Sequence, residues 1–171
     1  MKINVKKQIA LLCLMLLFNG IALFANSDFL YGASHTALKI GQSYQGGKIA
    51  YILQSDDIGY DAKKPHGLIA AIRDIEGPKS GGFNDEDLKN NDDLKKIDVN
   101  NLKDWRMPTR DELITLYKNR DTIGGFLSEL YWSSTMTKGI FRGRFGIKFL
   151  NGEMNIWTTN QYGFVRPVRT F

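Results

Sequence analysis

Outside one apolar N-terminal run this chain has no cysteine: Cys13, its one cysteine in 171 residues, lies inside that run. A domain without thiols excludes thiol catalysis, disulfide redox work and cysteine-ligated zinc. If exported, it must hold itself together by its core alone. Histidine is nearly as scarce. Of His35 and His66, the first falls in a stretch without periodicity, so no three-histidine metal site can be assembled. Positive charge is thinner than the formal +5 suggests. Without Lys2, Lys6 and Lys7 the 23 basic residues become 20 against 18 acidic ones, a net of about +2, which excludes the basic imbalance of a nucleic-acid binder. No internal repeat or low-complexity tract is visible.

What is present begins with a secretory pattern. Lys2, Lys6 and Lys7 precede an almost unbroken apolar run over 9–24, and the small residues Ala25 and Ser27 stand before a cut at Asp28. The run is short for a membrane span, which needs about 20 residues. A lipoprotein signal would place a small residue before Cys13, where Leu12 stands. We expect 1–27 to be a cleaved signal, 28–40 a flexible leader and 41–171 a single domain, in a secreted, periplasmic or cell-surface protein with no stable membrane insertion after cleavage. The 144 residues after the cut suffice for one real core.

Along that domain, residues 48–53 (KIAYIL) after the turn signal Gly46-Gly47, and 68–72 (LIAAI) after His66-Gly67, predict two short strands with a polar loop between them. Residues 84–103 read as a surface excursion with one short helix. Asp85, Asp87, Asp92 and Asp93 raise the question of calcium, but Lys89 stands where a third ligand is needed. The loop also lacks the glycine and terminal glutamate of an EF-hand. A solvated acidic loop without metal is the expectation. Residues 131–135 (YWSST) predict an aromatic strand. Residues 141–149 alternate Phe141, Phe145, Ile147 and Phe149 with Arg142, Arg144 and Lys148, a strand with one greasy and one basic face. Asn151-Gly152 is a hairpin signal, 153–157 the return strand, and 164–169 a last strand.

The run Asp104-Trp105-Arg106-Met107-Pro108-Thr109-Arg110-Asp111-Glu112-Leu113 is a structural joint. Pro108 keeps Met107 extended, Thr109 and Glu112 spell a capping box, and Leu113, Leu116 and Tyr117 give the helix one apolar face. Together with Gly46–Ile52, His66–Ala71, Gly124-Gly125-Phe126, Tyr131–Thr135 and Val165-Arg166-Pro167-Val168-Arg169, it resembles the Lcl C-terminal domain family, over nearly the whole of 41–171. The resemblance implies an α+β, C-type-lectin-like fold with short antiparallel strands, one main capped helix and long loops. It also implies a relationship to the formylglycine-generating enzyme domain. The segment after Asp74 is shorter and more acidic than in many members.

Enzymatic activity of the formylglycine-generating kind needs cysteines, and the related sulfoxide synthases need a histidine triad; neither is here. His66 next to Gly67 reads as a structural turn residue, so no catalytic residue and no cofactor is expected. The Glu-Pro-Asn or Gln-Pro-Asp loop and the Trp-Asn-Asp run of calcium-dependent sugar sites are missing too. Trp105, Tyr131, Trp132 and Phe145 are assigned to the core, and Arg106, Arg166 and Arg169 to structural pairing. The expectation is an exported, non-enzymatic binding or adhesion domain. Its ligand residues would be Arg142, Arg144, Lys148, Trp157, Thr159, Asn160 and Gln161, since arginine forks suit carboxylate or sulfate and an exposed indole can stack on a sugar or peptide. The partner would be an anionic glycan or a surface protein. The alternatives are a structural or assembly subunit of a cell-surface complex and, behind it, a divergent enzyme of the formylglycine-generating fold. For Trp157 a core role stays open, and for Arg142 and Arg144 plain solvation.

Overall fold

Gln45 and Gly46 take φ of 42° and 85°, and this left-handed pair turns β1 (Ser43–Tyr44) back onto β2 (Gly47–Ile52). A computed structural model describes residues 37–75, 77, 82–90, 101–137, 143–158 and 160–171. The expected signal, most of the expected leader, Asp92, Asp93, Arg142 and Thr159 lie outside these residues. After β2 come β3 (Gly67–Ala71), α1 (Asp85–Asn90), α2 (Arg110–Lys118), α3 (Arg120–Ile123), β4 (Leu130–Met136), β5 (Arg144–Lys148), β6 (Glu153–Trp157) and β7 (Val168–Thr170). The class is α+β. One antiparallel sheet has the order β1-β2-β3-β7 and the other β4-β5-β6.

β3 is an uninterrupted apolar run because both its faces are covered. Leu68 and Ala70 enter the main core, while Ile69 and Ala71 pack on Trp105. The main core joins the two sheets through α2, whose Leu113 and Leu116 meet Ala50 and Val168 of one sheet and Tyr131, Phe145 and Ile147 of the other. On the far side of the small sheet, Phe83, Leu88, Leu130, Trp132 and Val165 form a separate cluster. The first four residues of β4 and of β5 are therefore covered on both faces, while β6 stays largely exposed.

The joint forms as its residues dictate. Thr109 is extended at φ −65° and ψ 172°; its side chain accepts from Glu112 N, and Glu112 Oε2 accepts from Thr109 N at 2.8 Å. Arg106 adds two bonds of 2.6 Å to the same carboxylate. Burial alone would push the Glu112 carboxyl up, but the bonds from Arg106 and Thr109 outweigh it and hold it below its ordinary range. Thr109→Ala should cost about 1 kcal/mol by removing the cap, read as a lowered midpoint in urea with an unchanged slope.

The C-terminal run differs from a single strand over 164–169. Gly163 and Phe164 bridge to Phe83 and Tyr131 beside the small sheet, and only Val168–Thr170 joins the large one. Pro167 lacks the N–H a continuous ladder would use, and its carbonyl instead accepts from Ala71 N. Between these two attachments Arg166 turns inward. At 1% exposure it donates to Asp74 and to the carbonyls of Ala71, Gly124 and Gly125. Tyr131 Oη donates to the same Asp74, and burial pushes its hydroxyl pKa up. Arg106, Arg166 and Arg169, the last paired with Asp104, are structural arginines as their setting implied.

Candidate binding face on the late hairpin

Strand alternation sends Arg144, Gly146 and Lys148 to one face of β5, and their cross-strand partners Trp157, Asn155 and Glu153 share it. Gly146 leaves room there: a Cβ would stand 3.1 Å from Trp157 Cδ1 and 2.9 Å from Leu130 Cδ1 and the Tyr131 carbonyl. The indole therefore lies back along the strand, with Lys148 Nζ 4.4 Å from its centroid, a cation–π contact worth about 0.5–1 kcal/mol when exposed. Lys148 also pairs with Glu153 at 2.9 Å. Trp157 packs on the Phe83–Trp132 cluster, and its Nε1 is buried with no acceptor among the described residues. Both readings of this residue are realised in part: it is half core and half surface.

Arg144 requires a correction. It was expected on an exposed basic face, yet it is 5% exposed, with Nε donating to Asp85 at 3.0 Å and Nη1 to the Ser133 carbonyl at 3.0 Å. Asp85 is likewise no member of a solvated loop. It is fully buried at the start of α1, where Lys89 reaches its second oxygen. Burial would raise the Asp85 carboxyl, but Lys89 and Arg144 outweigh it and hold it low. The short helix and Leu88 fold over the β5 face that alternation alone leaves to solvent.

Arg142 and Thr159 lie outside the described residues. Lys148 and Trp157 come together as described, and Asn160 and Gln161 are exposed in the following loop. The hairpin turn spans four residues, Phe149–Gly152, because Lys148 pairs with Glu153; Gly152 takes φ 77° against the Tyr117 hydroxyl, where a side chain would not fit. His66 is tied to the chain end, its Nδ1 lying 3.0 Å from the Phe171 carbonyl. Among the described residues no three His, Cys, Asp or Glu side chains gather as a metal site, and no helix is long and apolar enough to cross a membrane. The sequence reading missed two features. One is the exposed edge of β6, where Met154 and Ile156 are 43% and 39% open; their alternation was visible, but not that β6 would be an edge. The other is a cleft behind Gly124-Gly125, marked in the sequence only by the paired glycines.

Glu112 and Asp85 share one consequence. A carboxyl held below its unfolded value contributes stability that is complete above the unfolded pKa and is lost as pH falls toward the folded one. The thermal midpoint should thus hold near neutrality and drop as pH falls through the ordinary carboxylate range and below it; a midpoint that rises there would contradict these pairings.

The described fold defines a small α+β domain of two antiparallel sheets around one capped helix. Its sequence matches the model of the Lcl C-terminal domain over residues 78–169, more than half the chain, and the protein belongs to that family. The motifs at 46–52 and 66–71 precede the matched region. No curated protein matches the chain.

Proposed function

We propose that this is an exported, non-enzymatic binding or adhesion domain of C-type-lectin-like fold that engages its partner through the β5–β6 hairpin and the loop after it. The observation that carries the reading is the partly exposed Trp157, positioned over Gly146 and beneath Lys148, with the exposed Asn160 and Gln161 in the loop that follows it. An indole held by packing with an unbonded N–H is costly for stability alone, whereas a fixed aromatic face with a cation beside it suits a sugar ring or peptide. With Arg144 neutralised by Asp85 and Lys148 shared with Glu153, the hairpin's charge is weaker than its sequence suggests. An anionic glycan remains one partner class and a protein surface the other. The secretory pattern of 1–27 supports export.

The test is binding of the purified protein to sulfated, uronic-acid and neutral glycans and to surface protein, at several salt concentrations. Lys148→Ala should weaken binding severalfold and flatten its salt dependence, since exposed charge is screened within about 8 Å at physiological ionic strength. Unchanged binding and slope would remove Lys148 from the site. The assembly-subunit reading is favoured by β6, which among the described residues is an edge strand, because an exposed strand can accept another strand. Asn155 Oδ1 accepts from Ile156 N at 2.8 Å and blunts that edge.

A further inference from the structure

A cleft of about 310 Å³ opens where the chain leaves α3, lined among others by Arg120, Asp121, Gly125, Leu127 and Ser128. It shares only Phe149 with the hairpin and is separate from the face above. Its wall is fixed from behind. Arg166 holds the carbonyls of Gly124 and Gly125, and Leu127 N donates to Tyr131 Oη at 2.9 Å. Gly124 and Gly125, at φ 79° and 75°, adopt the left-handed turns this path requires.

The charged pair on the rim has little to do in the fold. Arg120 spends one N–H on the Tyr117 carbonyl at 2.9 Å and rests its guanidinium 4.3 Å over the Tyr117 ring, so it is oriented but mostly unbonded. Asp121, its side chain 87% exposed, has among the described residues only the Arg120 Nε at 3.9 Å. We propose that this cleft binds a free α-amino acid: its carboxylate on the Arg120 fork, its ammonium on Asp121, its side chain toward Leu127 and Ser128. The spacing agrees. Backbone bond lengths put the ammonium nitrogen and a carboxylate oxygen of an amino acid on the order of 3 Å apart, and Arg120 Nε and Asp121 Oδ1 stand 3.9 Å apart, so each can meet one of the two groups. Arginine's planar fork takes a carboxylate in a bidentate way that other cations cannot. A sugar fits less well because no aromatic platform is open. Phe126 is covered by Arg166 at 4.1 Å and flanked by Tyr131 and Phe149, and Phe149 is only 4% exposed.

The experiment is a titration of the isotope-labelled full chain with L-leucine, followed by the amide resonances of Gly124, Gly125 and Ser128. Saturable shifts at these residues are expected below about 10 mM, tenfold above a millimolar dissociation constant. N-acetyl-leucine, which lacks the ammonium, and leucinamide, which lacks the carboxylate, should each bind at least about tenfold more weakly. Asp121→Asn, at an exposed position, should reproduce that loss with unchanged thermal unfolding, and Arg120→Gln should do so for the carboxylate. The proposal is overturned if leucine shifts none of these amides, if the two blocked forms bind as well as leucine, or if glucose shifts the same amides as strongly.

Discussion

Arg144→Ala should destabilise the protein by about 3 kcal/mol, the low end for breaking a buried ion pair, because it leaves the buried Asp85 carboxylate with the part-exposed Lys89 in place of two cations. An exposed binding arginine would behave differently: its loss would leave the denaturation midpoint within about 0.5 kcal/mol of the parent and change only affinity. Urea denaturation separates the two outcomes. The geometry also specifies a rescue. Replacing both partners by apolar residues, Arg144→Met with Asp85→Leu, removes the buried carboxylate as well as the pair, leaves the part-exposed Lys89 to solvent, and should recover most of the loss. The Ser133 carbonyl, which gives up its bond from Arg144 in either case, keeps the recovery incomplete. A single Arg144→Ala variant as stable as the parent would return this residue to the surface.

Trp105→Ala should cost about 3–5 kcal/mol, the usual range for deleting a buried indole. Trp105 is 4% exposed and packs on Ile69 and Ala71 of β3, with Tyr44, Leu102 and Phe171 around it. Gly47 is part of the same fit, since a Cβ there would stand 2.9 Å from the indole. The loss should appear as a lower thermal midpoint in protein that still unfolds cooperatively. Thermal neutrality would mean that the indole is not the cover of the outer β3 face.

These two residues mark what the sequence discloses and what it does not. Trp105 was legible because its neighbours in the chain define its setting: a proline-stiffened approach, a capping box and an amphipathic turn, all local physics. The strands at β2, β3, β4 and the hairpin were legible for the same reason, from alternation, apolar runs and turn residues. Arg144 was misplaced because alternation records only that a strand has two kinds of face. It does not record that α1, 59 positions earlier in the chain, returns to cover the polar one and supplies the neutralising carboxylate. Asp85 was misread with it, since an acid among acids in a polar segment looks solvated until the fold buries it. The end of the chain was misread in a milder way: Pro167 and the inward Arg166 divide one apparent strand between two sheets. Of the candidate face, Lys148 and Trp157 were found by sequence, but their contact depends on the empty space over Gly146, which only the register discloses.

Binding of the Trp157→Ala protein across a panel of anionic glycans, neutral glycans and surface proteins, beside the parent and at matched folded fraction, tests the central reading most directly. The expected result is a partner held by the parent and lost at least about tenfold by the variant, about 1.4 kcal/mol, as for truncation of a tryptophan that anchors an interface. Undiminished binding by folded Trp157→Ala protein would contradict the assignment of recognition to this hairpin.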